Sequence, residues 1–282
     1  MNRRTLIGGL SSALAMVTVV LTGIQGGGYA QSDDSLKQVM DKGKFTYGLE
    51  AQYRPFEFRD ENNQIIGYDI DVANEIAKRW GITAEPIDTD WATVIQTLYN
   101  GGFDLILGGM TATKARYERV NFSVPYMDAS SGLLVKTGSG IQSRQDLKGK
   151  VVSAGAGTPS VQQLQITAEE LGITYNGEIR TYDNDAVAYE AMKAGRIDAY
   201  ASSMVSLNDF AQANEGFEVI PFQSDKWAAE FTTAAFRKED ETLRQKFNET
   251  LLAMKADGTL DALQKKWFGR TFGPLPEEPP TW

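Results

Sequence analysis

Residues 91–116 read WATVIQTLYNGGFDLILGGMTATKAR. Within this stretch Trp91 to Tyr99 carries Val94, Ile95 and Leu98 at helical spacing, the Gly101-Gly102 pair stops the helix, and Phe103 to Leu107 is an apolar run of strand length. The same order recurs on the amino-terminal side. Leu36, Val39 and Met40 predict a helix closed by Gly43, with Phe45 to Leu49 as a strand. Asp69 to Trp80 places Val72, Ala73, Ile76, Ala77 and Trp80 on one helical face, stops at Gly81, and is followed by the strand Ile82 to Ile87. Repeated strand–helix–strand units predict an α/β fold with a mostly parallel sheet and helices on both faces. In such sheets ligands sit beyond the carboxyl ends of the strands.

A second series follows Leu133 to Val135 and the turn Thr137 to Gly140. It runs through a strand at Val151 to Ser153, a helix at Ser160 to Leu171, a strand at Ile179 to Tyr182, a helix at Asp185 to Ala194 and a strand at Ile197 to Ala201. This predicts a second, similar lobe. Glu230 to Phe236 is again strand-like, Thr242 to Met254 and Leu260 to Phe268 are helical, and the Pro-rich segment Gly273 to Pro280 is an extended tail against the surface.

Composition narrows the chemistry. The 282 residues include no cysteine and no histidine, which excludes thiolate catalysis, disulfides, zinc fingers, histidine-based triads and imidazole-ligated haem. A formal net charge of −9 argues against a nucleic-acid binder, which needs an excess of Lys and Arg. Residues 1–30 combine Arg3 and Arg4, the uncharged segment Leu6 to Ile24 and the end Gly28-Tyr29-Ala30, the pattern of a secretory signal peptide cut after Ala30. The Asn2-Arg3-Arg4-Thr5-Leu6-Ile7 run leaves both twin-arginine and Sec export open, and an uncleaved anchor is the alternative to cleavage. The mature chain of about 250 residues is long enough for two lobes and is expected in the periplasm.

From about Leu36 to Gly269 the sequence resembles the extracytoplasmic amino-acid-binding proteins of ABC importers, solute-binding protein family 3. Tyr53-Arg-Pro-Phe-Glu-Phe58 is similar to the family's aromatic-x-Pro-Phe segment, and Ile66-Gly-Tyr-Asp-Ile-Asp-Val-Ala73 to its GFDxDLA segment. The run from Gly102 to Arg116 is the strongest match; Phe122 to Tyr126, Asp146 to Lys150, Gly155 to Thr158, Gly195 to Ala199 and Lys265 to Gly269 follow in the family's order. The resemblance implies a type II periplasmic binding fold, two lobes joined by a two-segment hinge near Asp128 to Gly132 and Glu230 to Thr233. It sets one discontinuous lobe at residues 31–128 with 232–282 and the other at 129–231. It further implies a monomer without cofactor or metal that closes on a small ligand and presents it to an inner-membrane ABC permease.

The resemblance also carries site roles. Arg116 matches the arginine that holds the ligand's α-carboxylate, with Thr111 and the loop at Gly109 helping; a guanidinium suits that task because it gives two parallel charge-assisted bonds. Tyr53 and Trp91 match the aromatic pair that sandwiches the ligand, although Trp91 also reads as the first core residue of its helix. Glu50 falls where relatives often carry an acid that contacts the ligand side chain; solvated Glu is the other reading. Thr158 and the glycine loop before it offer N–H groups and a hydroxyl to the carboxylate.

One position departs from the pattern. Relatives hold the ligand's α-ammonium with an Asp five residues beyond the Asp of GRxDA, and counting from Asp198 that position is Ser203. Burying an ammonium beside a neutral hydroxyl costs on the order of 2 to 5 kcal/mol. Three ligand types stay open: a polar amino acid held by altered contacts, with an acid such as Glu50 meeting the ammonium, a zwitterion with a shifted or cyclic cation, and a plain carboxylate. Two other functions stay open as well: a periplasmic enzyme similar to the cyclohexadienyl dehydratases with Glu50 as general acid, and a sensor that delivers ligand to a receptor.

Overall fold

The computed structural model describes residues 33–224, 227 and 230–282. The signal-peptide reading of residues 1–30 lies outside them. From the amino end the elements are α1 (Ser35–Lys42), β1 (Lys44–Leu49), β2 (Gln52–Tyr53), β3 (Glu57–Arg59), β4 (Ile65–Ile66), α2 (Tyr68–Trp80), β5 (Thr83–Asp88), α3 (Val94–Tyr99, entered through a 3-10 turn at Trp91–Thr93), β6 (Leu105–Ile106), α4 (Lys114–Tyr117), β7 (Asn121–Phe122) and β8 (Met127–Asp128). There follow β9 (Ser131–Lys136), β10 (Val152–Gly155), α5 (Pro159–Leu171), β11 (Arg180–Tyr182), α6 (Asp185–Lys193), β12 (Ala199–Ser203), α7 (Met204–Ala213) and β13 (Phe217–Pro221). The chain ends with β14 (Phe231–Thr232), β15 (Ala235–Phe236), α8 (Glu241–Ala256) and α9 (Thr259–Phe268).

Two five-stranded sheets define two lobes. The first sheet has the order β5-β1-β6-β15-β7 and the second β11-β10-β12-β9-β13. In each, four strands share one direction, β5, β1, β6 and β7 in one and β11, β10, β12 and β13 in the other. The expectation of mostly parallel sheets holds with one exception in each: β15 runs antiparallel to β6 and β7, and β9 antiparallel to β12 and β13. The reason is topological. β9 and β15 are the strands that follow the two crossings between lobes, so their direction is set by where the chain enters.

Local sequence explains the helices around these sheets. In α2, Val72, Ala73, Ile76, Ala77 and Trp80 are buried as their spacing predicts, and Gly81 ends the helix at φ 72°. Asp69 and Asp71 sit in its first turn and Lys78 and Arg79 in its last, complementing the helix dipole. Trp80 donates to Thr250 Oγ1 on α8 at 2.8 Å, which ties α2 to a helix near the other end of the chain. Phe45, Tyr47, Ile76, Phe236, Phe247 and Leu251 share one core on this face of the first sheet, and Val94, Leu98, Phe103 and Phe122 form another on the opposite face. The second sheet is likewise covered on two faces, by α5 through Leu164 and by α6 and α7 through Met192 and Leu207. The tail after α9 lies against the first lobe: Lys255 donates to the Pro276 carbonyl at 2.7 Å, and the Trp282 ring packs on Tyr117.

The two connections between lobes run side by side. β8 pairs antiparallel with β14 through Asp128–Phe231 and Met127–Thr232, and Ala129 N–H donates to the Glu230 carbonyl at 3.0 Å. No helix among the described residues is long and apolar enough to cross a membrane.

Candidate ligand-binding cleft

Parallel strands deliver side chains where they end. The carboxyl ends of β1 and β6 in the first lobe, and of β10, β11 and β12 in the second, converge on a cleft of about 670 Å³ including its mouth. Glu50, Tyr53, Trp91, Gly109, Thr111, Arg116, Thr158 and Ser203 all line it. The structure therefore brings together every residue singled out from the sequence.

Arg116 is the one basic side chain among the described residues lining the cleft. Its Nη1 donates to the Thr111 carbonyl at 2.8 Å and its Nη2 reaches across to the Gly157 carbonyl of the second lobe at 2.9 Å. The guanidinium carbon stands 5.6 Å from the Trp91 ring centroid. Both partners are neutral carbonyls, and no described carboxylate lies within ion-pairing distance of it. Burial lowers its pKa to about 10, so it stays charged at neutral pH. A positive charge held this way has full capacity for an anion.

The two aromatic residues play the parts that their positions allow. Tyr53 stacks on Phe56 with centroids 4.8 Å apart and planes 11° from parallel. Trp91 packs on the core under α3 and lines the cleft as well. Gly109 has φ +62°, and a Cβ there would come 2.7 Å from Tyr53 Cε1. Glycine lets the loop take the left-handed conformation and lets the Tyr53 ring close over it.

Two anion-binding details change from the expectation. The Gly109 N–H donates to Asp69 Oδ2 at 2.5 Å and is committed to the protein's own core. The Thr158 hydroxyl donates to the Gly155 carbonyl at 2.8 Å, closing the turn that starts α5. What remains for an anion on that side is the first turn of α5, where Pro159 and Ser160 line the cleft and Thr158 makes no side-chain cap. Ser203 caps α7 by accepting from Val205 N–H at 3.3 Å, and its hydroxyl lies beside that of Tyr53.

The sequence reading passed over several acids in the cleft. Glu57, Asp183, Asp185 and Glu230 line it together with Glu50. Glu50 is half-buried; burial first, then the charge of Asp185, pushes its pKa up to about 8. Asp185 is 8% exposed and accepts from the hydroxyls of Tyr200, Tyr189, Ser206 and Ser202. Glu230, beside the lobe connection, accepts from Ser131 Oγ at 3.2 Å and Gln163 Nε2 at 2.8 Å. Beneath the loop, Glu57 and Asp69 are fully buried together. Burial and the neighbouring Asp69 hold Glu57 well above the usual range, and burial lifts Asp69 to about 6, so Glu57 is the member of the pair that keeps its proton longer. Asp183, directly beyond the carboxyl end of β11, is the second-lobe acid for which strand order was the available signal.

Comparison with known proteins agrees with this fold. The sequence profile of the bacterial extracellular solute-binding proteins, family 3, matches residues 45–270. The L-cystine-binding protein TcyJ of Escherichia coli K12 is 30% identical over 236 residues, 83% of this chain and 86% of that one. A histidine-bound substrate-binding protein of an ABC uptake transporter from Streptococcus pneumoniae superposes with a TM-score of 0.79 at 29% identity, covering 86% of this chain and 98% of that one. AncCDT-1, an ancestral amino acid-binding protein described as a precursor of cyclohexadienyl dehydratase, superposes with a TM-score of 0.75 at 35% identity, covering 83% and 99%. The chain belongs to the bacterial extracellular solute-binding proteins of family 3.

Proposed function

We propose that this protein captures a free amino acid between its lobes in the periplasm and presents it, unaltered, to the inner-membrane permease of an ABC importer. The observation that carries the reading is Arg116, a desolvated guanidinium bonded only to carbonyls, one from each lobe, beside the open first turn of α5. A ligand carboxylate bound there bridges the lobes and so favours the closed form. Tyr53 and Trp91 supply apolar faces for the ligand's carbon chain, and Glu50 meets its side chain. We set the lobes at residues 31–128 with 232–282 and at 129–231, hinged where β8 pairs with β14.

Thermal-shift and calorimetric titration against amino acids test this. Arg116→Ala is expected to weaken the best ligand by about 100-fold or more, the range for truncating one partner of a buried charge pair, with an unchanged circular dichroism spectrum. Unaltered affinity in that variant removes Arg116 from the site. A second reading, elimination chemistry on a carboxylated ring, draws on Glu50, which holds a proton at neutral pH inside the cleft. Recovery of each bound ligand unchanged after prolonged incubation excludes it; a new product establishes it.

A further inference from the structure

We infer that the Asp185 carboxylate is the counter-charge for the ligand's α-ammonium, standing in for an acid at position 203. The inference rests on the amino-acid reading above and deepens it. Asp185 opens α6, directly beyond the carboxyl end of β11, and lines the cleft while 92% of it is buried, since its exposure is 8%.

Its surroundings are polar but carry no positive charge. Oδ1 accepts from Tyr200 Oη at 2.5 Å and Ser202 Oγ at 3.3 Å; Oδ2 accepts from Ser206 Oγ at 2.9 Å, Tyr189 Oη at 3.1 Å and Ser202 Oγ at 3.3 Å. Among the described residues no Lys or Arg comes within ion-pairing distance of it. Four hydroxyls orient and solvate the carboxylate but bring no positive charge, and burial raises its pKa, so its ionised form lacks a counter-charge next to the cleft and largely out of water. A cation arriving from the cleft is the group that neutralises it.

Position supports the same role. Ser202, bonded to both Asp185 oxygens, is the neighbour of Ser203, so the carboxylate lies beside the place that Ser203 occupies. The Ser203 hydroxyl is already engaged as the cap of α7. Across the cleft, Asp185 is the leading charge acting on both Tyr53 and Glu50, so its field reaches the opposite wall of the cleft. Glu50 meanwhile holds a proton at neutral pH and is poorly suited to be the permanent partner of an ammonium. Arg116 and Asp185 then give the cleft a pair of opposite charges, the pattern a zwitterion requires.

The test compares ligands that differ only in the ammonium: L-arginine against 5-guanidinopentanoate, and L-histidine against 3-(imidazol-4-yl)propanoate. Calorimetric titration of the wild type should favour the amino acid of the pair it binds by about 30-fold or more. Asp185→Asn should lose that preference while binding the des-amino partner within about threefold of wild type, and adding Ser203→Asp should restore it. Retention of the preference in Asp185→Asn overturns the assignment. Asp185 also anchors four hydroxyls, so a second measurement needs no variant. In crystals of the wild type with its bound L-amino acid, an ammonium nitrogen within about 3.2 Å of Asp185 supports the assignment, and one beyond about 4 Å refutes it. If the wild type binds no amino acid at all, the amino-acid reading itself fails.

Discussion

The buried pair Glu57 and Asp69 makes stability fall as pH rises. An acid whose folded pKa is raised binds its proton more tightly in the native state, so its contribution is complete below the unfolded pKa and is lost as pH rises through the folded value. For Asp69 the rise from 3.8 to about 6 is roughly two units, which converts to about 3 kcal/mol lost between about pH 4 and pH 7. The group is fully buried, so no discount for solvent is needed. Glu57, Asp185, Glu230 and Asp240 are shifted in the same direction by burial and add to the decline. The carboxyls held low, Asp33, Glu75 and Glu241 among them, deliver their stability above the ordinary carboxylate range and lose it only in stronger acid. Urea unfolding followed by tryptophan fluorescence from about pH 4.5 to about pH 7.5 is the assay. Wild type should lose at least about 2 kcal/mol over that range, and Asp69→Asn, whose amide oxygen still accepts from Gly109 N–H, should lose about 2 kcal/mol less. A wild-type stability that is flat or rising across the same range refutes the reasoning.

Glu50 gives a second pH effect, on binding. A ligand with a cationic side chain needs the ionised form, whose fraction grows about tenfold per pH unit below a pKa of about 8. L-arginine affinity should therefore rise about tenfold from pH 6 to pH 7 with proton release, and Glu50→Gln should abolish the dependence in calorimetry. Gly109→Ala should cost about 1 to 2 kcal/mol in urea unfolding, from the left-handed backbone alone, and should also weaken binding as Tyr53 is displaced; unchanged binding would mean the ring is not part of the wall. Phe236→Ala, fully buried and in edge contact with Phe247 at 5.3 Å, should cost about 3 to 5 kcal/mol; a cost under about 1 kcal/mol would show that β15 does not hold the first sheet together.

Much of this molecule could be read in the sequence where local chemistry and tertiary position agree. The helices of the first lobe announce themselves through apolar spacing and a terminal glycine, as at Val72 to Gly81. α7 and β13 do not: α7 begins directly on the last residue of β12, with Ser203 serving as strand end and helix cap at once, so no turn residue separates them. β2, β3 and β4 are only two or three residues long, too short to show a period. The antiparallel direction of β9 and β15 has no local signature. In the site, the residues at strand ends were legible because strand order places them. Asp185 was not, since an acid at the first position of a helix is fully explained by the helix dipole. Only the folded chain shows Tyr200, Ser202 and Ser206 gathered around it.

The placement of β15 has a kinetic consequence. β7 joins the first sheet only through β15, and Phe247, Leu251 and Met254 of α8 fill the same core as Phe45 and Tyr47. Every strand of the second sheet lies between Ser131 and Pro221. A chain emerging from the ribosome can thus complete the second lobe while the first still lacks an inner strand and part of its core. Pairing β6 with β15 joins residues far apart in sequence, and the folded second lobe shortens that closure by holding Asp128 and Phe231 side by side. The second lobe, by folding, therefore brings to the first sheet the strand that it lacks.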